Sequence, residues 1–261
     1  MYDPSTKTTL KNRNELIANI PPVVAAGEVL IKDMGLQVPW RTVFVLEYLG
    51  PLIIQPLVML AMPYLIELIV GLPHEDYKLN ATQKLSFFVI MSHFTKRELE
   101  TLFVHRFSAA TMPWANVLWN SAHYWIPAGL LSALEIYSPW GLAARPVVPM
   151  MNYVGLAIYI FGQVANARVH FYLKSLRKHG ETERRLPAGY GFGLVTCPNY
   201  MWEVIAWLGA ILITKSVSIV IYICIGTYYM YTWGVGKEKA YRKQFGDRYK
   251  NKRYIMLPGF L

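Results

Sequence analysis

The apolar residues of this chain are gathered into six long runs, and its charges are concentrated in the stretches between them. The runs cover residues 42–70, 84–104, 117–137, 147–165, 194–214 and 216–233. A helix needs about 20 predominantly apolar residues to cross the hydrocarbon core of a bilayer. Lipid offers no partner to an open backbone, so such runs are expected to be helical. Charged residues make up 16% of the chain, against about 25% in a soluble domain. The expected fold is therefore all-α: a multi-pass transmembrane bundle of about six helices, one domain over residues 37–261. Pro51, Pro56 and Pro63 predict kinks in the first run, and the fourth can continue as an amphipathic helix to Leu176.

Residues 1–36 read as a polar lead-in without the charged-then-apolar order of a signal peptide. Pro4, Pro21, Pro22 and Gly27 disfavour a long helix there, and the alternation from Gly27 to Asp33 suits a single strand. Six Lys and Arg lie between the fourth and fifth runs, and eight follow the sixth. The opposite connections hold only Lys78, Lys84, Arg145 and Lys215. The positive-inside rule then puts both termini in the cytosol. Because the basic residues flank apolar runs, the net charge of +10 points to bilayer orientation, anionic headgroups or a polyphosphate ligand, and away from nucleic acid. Cys197 and Cys224 form neither a disulfide framework nor a metal-binding spacing.

Ionisable residues inside a span are costly and therefore mark candidate sites. Glu47 begins the first run; His93, Lys96 and Arg97 lie toward the end of the second; Asn199, Tyr200 and Glu203 open the fifth. In the topology above all lie at the cytosolic end. Asn199 and Glu203 are four residues apart and share a helix face. Against a catalytic reading, a lone glutamate or tyrosine at that depth is more often an interfacial anchor. His93 is more often a satisfied interhelical hydrogen bonder than an acid. Tyr228, Tyr229 and Tyr231 read as packing and interfacial belt.

Three stretches carry a resemblance. Cys197-Pro-Asn-Tyr-Met-Trp-Glu203, Trp233-Gly-Val-Gly-Lys237-Glu-Lys-Ala-Tyr241 and the closing Leu257-Pro-Gly-Phe-Leu261 resemble the steroid 5α-reductase superfamily. Trp40-Arg-Thr-Val-Phe-Val-Leu-Glu47 and His93-Phe-Thr-Lys-Arg97, running on to His105-Arg106-Phe, resemble its very-long-chain trans-2-enoyl-CoA reductase branch. The resemblance implies an endoplasmic reticulum enzyme of fatty acid elongation, working beside other elongation enzymes. It would pass hydride from NADPH to the β-carbon of an enoyl-CoA. Members carry an N-terminal ubiquitin-like domain, of which residues 1–36 read as only the tail.

Carried over by position, the catalytic candidates are Tyr200, a phenol that stays protonated at neutral pH, and Glu47, which could donate directly or orient Tyr200. Asn166, Arg177, Arg185, Asn199, Lys237 and Tyr241 are implied to bind the cofactor, with Arg106 as an addition. His93, Arg97 and Glu203 are implied on the substrate side. No GxGxxG follows a strand, so a Rossmann site is excluded and basic side chains must hold the phosphates. Two positions depart from the pattern: Glu238, where relatives more often carry His, and His170, where steroid-reducing relatives have a carboxylate. A steroid or sterol enone reductase, a non-catalytic scaffold of the elongation complex and a small transporter are the competing readings. The absence of an inverted repeat speaks against the transporter.

Overall fold

The computed structural model describes residues 19, 21–28, 33, 35–107, 111–146, 149–177, 185–249 and 254–259. Most of the polar lead-in, including the centre of the strand expected from Gly27 to Asp33, lies outside them. Within the described part, a short helix α1 (Pro21–Ala26) precedes strand β1 (Gln37–Pro39). Helices α2 (Trp40–Val70) and α3 (Ala81–Phe103) follow, then strand β2 (Thr111–Pro113). Next comes a three-part helix: α4 (Trp114–His123), a π-helical segment (Tyr124–Leu131) and α5 (Ser132–Tyr137). Helices α6 (Pro149–Ser175), α7 (Pro198–Thr214) and α8 (Val217–Phe245) complete the bundle.

The protein is thus mostly helical, and each apolar run lies largely within a helix. Among the described residues, a two-stranded ribbon and an isolated parallel bridge between Val195 and Tyr254 depart from an all-α fold. β1 and β2 pair antiparallel, Val38 opposite Met112. Each strand ends on a proline that serves as N-cap of the following helix, Pro39 for α2 and Pro113 for α4. Proline has no N–H to lose at a helix start, so the ribbon hands both chains directly into helices and fixes the starts of α2 and α4 side by side.

Two helical stretches, residues 40–70 and 217–248, are long and apolar enough to cross a membrane. On α2 the outward face is apolar, with Leu57, Leu60, Leu68 and Ile69 all exposed. The three prolines of α2 lie inside one helix assigned without a break. It ends where Gly71 takes φ +74° and returns its N–H to Glu67 O, a left-handed cap that glycine adopts without a Cβ penalty.

Where lipid surrounds a helix, burial of apolar surface adds little, and close van der Waals fit with interhelical hydrogen bonds must hold the bundle. Helices α6 and α7 use small residues for this. A Cβ on Gly209 would lie 2.4 Å from Tyr159 N, and one on Gly162 would lie 2.6 Å from Ala206 N. Gln55 of α2 works by hydrogen bonding. Its amide nitrogen donates to Ala128 O at 2.9 Å, Gly129 O at 3.2 Å and Ser132 Oγ at 2.8 Å, and its oxygen accepts from Tyr137 at 2.6 Å. Pro127 lacks the N–H a regular ladder needs, and the helix widens to π geometry around it. Gln55 thus ties α2 to the widened part of its neighbour.

The end of the bundle remote from the cavity described below is held by caps. Asn80 and Gln83 form a capping box at the start of α3, each bond 2.9 Å, and Asn80 also donates to Ala143 O and Ala144 O. Glu135 accepts from Ser216 and Ser218 at the start of α8. Cys197 is buried, Cys224 exposed, and both are free.

Candidate active site

A cavity of about 910 Å³ opens among α2, α3, α4, α6, α7 and α8. That lies near the upper end of the range for small-molecule sites, about 300–1,000 Å³. Seven of the twelve residues singled out from sequence line it: Glu47, His93, Arg97, Asn166, Asn199, Tyr200 and Glu203. They come from α2, α3, α6 and α7. Apart from His93 and Arg97, which share α3, and Asn199, Tyr200 and Glu203, which share α7, their convergence is a property of the tertiary structure.

Tyr200 sits half-buried in the first turn of α7. Pro198 at the first position starts that helix, its ring already holding a helical φ. Lys237 of α8 donates to the Tyr200 hydroxyl at 2.9 Å, with its ammonium 4.4 Å from the ring centroid. The ammonium has no acceptor lone pair, so the phenol oxygen accepts and the phenol hydrogen stays free. Glu47, only 2% exposed, lines the same cavity from α2, with the Asn120 side chain of α4 as its hydrogen-bond partner.

His93 and Arg97 are held by the protein itself. His93 Nδ1 receives the Gln163 amide at 2.7 Å, and its Nε2 lies 3.4 Å from Glu203. Trp207 Nε1 also donates to Glu203, at 3.3 Å. Both imidazole nitrogens are therefore engaged, the satisfied-histidine arrangement, and the ring orients Glu203. Arg97 donates to Glu100 at 2.9 Å and to the Tyr48 hydroxyl at 2.9 Å. Glu100, 4% exposed, also meets Lys96 at 3.1 Å and His170 at 3.0 Å. Lys96 donates onward to Asn166, whose amide donates to Asn199 O at 2.8 Å. Glu100 is thus the hub that fixes the basic residues of α3 against α6 and α7.

The remaining cofactor candidates lie outside the cavity wall. Arg177 reaches Arg106 O at 3.4 Å. Arg106 Nε is buried and has no hydrogen-bond partner among the described residues, an orphaned donor of the kind a phosphate oxygen satisfies. Arg185 is exposed in the segment before α7. Tyr241 is 8% exposed and packs against Phe245 and Tyr249. Glu238 does not face the cavity. It is 5% exposed, accepts from Thr196 and Tyr249 and pairs with Arg242 at 2.9 Å, so it fastens the segment after α8 to the start of α7.

Sequence reading missed the α4 contribution. Asn116, Asn120 and His123 all line the cavity, at i, i+4 and i+7 of a helix whose other residues are apolar except Ser121. That spacing puts them on one face, and it was visible in the sequence. The described residues contain one potential metal-ligand cluster, Glu100, His105 and His170. Its carboxylate already faces two cations, Lys96 and Arg97.

The family model for 3-oxo-5-alpha-steroid 4-dehydrogenase matches residues 110–261, more than half of the chain. The chain belongs to that family. The match covers α4 to the C-terminus, and so includes Asn120, Tyr200 and Lys237. Relatives of this family member extend over the N-terminal helices as well. A Schizosaccharomyces pombe protein named as an enoyl reductase is 41% identical over 89% of this chain and 76% of its own length. The very-long-chain enoyl-CoA reductase of Dictyostelium discoideum is 35% identical over 99% of this chain and 84% of its own. A Caenorhabditis elegans relative named for the same activity is 33% identical over 87% and 73%.

Proposed function

We propose that this chain reduces the trans-2 double bond of a very-long-chain enoyl-CoA, using NADPH, at the cytosolic face of the endoplasmic reticulum. The observation that carries the reading is the meeting of Tyr200 and Glu47, from α7 and α2, in one cavity with an apolar interior. In this reading α2, α3, the α4–α5 unit, α6, α7 and α8 are six spans, and both termini are cytosolic. The protein's own residues 37–261 form the reductase domain, with residues 1–36 as a cytosolic lead-in. Other enzymes of fatty acid elongation are its expected neighbours.

Bound NADPH supplies the hydride that adds to the β-carbon. Asn166, Asn199, Lys237 and the Arg106–Arg177 pair would hold it; a phosphate would satisfy the orphaned Arg106 Nε. Hydride addition pushes the π electrons onto the thioester oxygen, so a donor aimed at that oxygen stabilises the transition state. The free phenol hydrogen of Tyr200 then protonates the α-carbon, and the phenolate left behind stays beside the Lys237 ammonium until solvent reprotonates it. Glu47 and Asn120 hold the thioester end on the other wall. The acyl tail lies in the apolar part of the cavity while the CoA headgroup stays in water.

Purified protein, supplied with a long trans-2-enoyl-CoA and NADPH, should consume NADPH and release the saturated acyl-CoA. Consumption with an enone steroid and none with the enoyl-CoA would move the assignment to steroid reduction. Consumption with neither would reject reductase activity. NADH in parallel tests the choice of cofactor, and accessibility labelling of the α3–α4 and α6–α7 connections tests the topology.

A further inference from the structure

We propose that Gly226 sets the length of acyl chain this cavity accepts, an inference that rests on the enoyl-CoA reading above. The helical glycines fall into two kinds. A Cβ on Gly50, Gly162, Gly209 or Gly234 would land 2.1, 2.6, 2.4 and 2.4 Å from a neighbouring atom, so close packing demands glycine there. A Cβ on Gly226 would meet nothing nearer than His123 Nε2 at 3.9 Å, an ordinary contact distance. Its φ is not positive either. Glycine inside a helix costs about 1 kcal/mol relative to alanine, and here neither packing nor backbone conformation asks for it. What remains is the space its missing side chain leaves.

That space belongs to the cavity. Gly226 lines it from α8, on the same helical stripe as Tyr222, Tyr229 and Trp233. Facing it from α4 are Trp119 and His123. On the deep side of Gly226, the His123 and Tyr222 rings stack with centroids 4.8 Å apart and planes 22° apart, narrowing the cleft between the two helices. Gly226 is therefore the gap just before that constriction. It lies seven residues along α8 from Trp233, about 10 Å at the helical rise. Trp119 and Tyr229, on either side of the gap, are 80% and 50% exposed, so at this level the cavity opens sideways to the surroundings of the bundle. A chain longer than the distance from Tyr200 to the stacked pair leaves between α4 and α8, past the bare backbone of Gly226. A side chain there closes the way out while leaving the catalytic end untouched.

The test compares the wild-type protein with Gly226→Ala and Gly226→Leu in lipid vesicles, each with a short-chain and a very-long-chain trans-2-enoyl-CoA. The ratio of long-chain to short-chain kcat/KM should fall stepwise, by about tenfold or more for leucine, with the short-chain value kept. Binding of the saturated acyl-CoAs, read by quenching of tryptophan emission, should show the same selective loss without any turnover. If wild-type protein reduces neither substrate, the enoyl-CoA reading fails, and selective loss of long-chain binding still supports the role of Gly226. Equal losses at both lengths, or an unchanged ratio in both readouts, overturn the proposal. Gly226→Ala adds only a methyl group at ordinary contact distance, so it decides the matter if the leucine variant does not fold.

Discussion

Lys237 and Tyr200 meet twice: the lysine donates to the phenol oxygen at 2.9 Å, and its ammonium lies 4.4 Å from the centre of the same ring. The two contacts fix both the position of the phenol and the direction in which its hydrogen can point. Tyr200→Phe keeps the ring under the ammonium and removes only the donor. Turnover should fall about 10²-fold or more, with an unchanged melting temperature and near-normal binding of saturated acyl-CoA. Wild-type turnover in this variant would remove Tyr200 from the mechanism.

Asn120 is the side-chain partner of Glu47. A hydrogen bond between uncharged groups contributes about 0.5–1.5 kcal/mol, and about 1.4 kcal/mol corresponds to a tenfold rate change. Asn120→Ala should therefore lower kcat by about two- to tenfold and leave KM for NADPH in place. A change in KM for NADPH alone would place Asn120 at the cofactor instead.

Gln55 satisfies three acceptors and one donor between α2 and the π-helical segment. Gln55→Leu keeps the volume and strands the Tyr137 hydroxyl in a buried place. Stability should drop by about 1–3 kcal/mol, measured by denaturant titration in detergent. An unchanged midpoint would mean that the α2 contact does not depend on these bonds.

The α6–α7 contact allows nothing larger than glycine at position 209, where a Cβ would meet Tyr159 N at 2.4 Å. Gly209→Val should force the helices apart and cost about 1–3 kcal/mol. Activity should fall as well, because Asn166 bonds across the same pair of helices. A fully stable and active variant would contradict the tight packing.

Burial, reinforced by the nearby Arg97 charge, pushes the imidazole of His105 from its ordinary 6.5 down to about 2. The folded protein therefore keeps His105 neutral, while the unfolded chain takes up a proton below pH 6.5. Its contribution to stability is complete above pH 6.5 and is lost as the pH falls from there toward 2. Melting temperature followed by tryptophan emission should decline over that window, and His105→Asn should flatten the decline. An identical slope in the variant would assign the acid sensitivity to other groups.

The helices were largely legible in the sequence, because apolar content and run length are local properties. Residues 42–70 were expected as a helix and α2 covers 40–70; residues 216–233 were expected and α8 runs on to Phe245. The extension was missed because the C-terminal part of α8 is basic and carries no apolar signal. The β1–β2 ribbon was missed because three residues on each side, 74 apart at the Val38–Met112 pair, give no pattern that a linear reading can pair. At the site, Glu47, Tyr200 and Glu203 stood out since polar groups are rare in apolar runs. Asn116, Asn120 and His123 were equally available and were passed over, since residues 117–137 were read only as an apolar span.

By itself the sequence determined that the chain is mostly helical, which ends of its runs carry charge, and which family it belongs to, since each follows from the order of residue types. Only the tertiary structure decided that Glu47, Asn120 and Tyr200 share one cavity, that His93 is satisfied on both nitrogens, and that Gly226 alone among the α8 glycines borders empty space inside it. Those facts depend on which helix faces meet. That is settled by close packing and buried hydrogen bonds between residues far apart along the chain, and no local pattern encodes it.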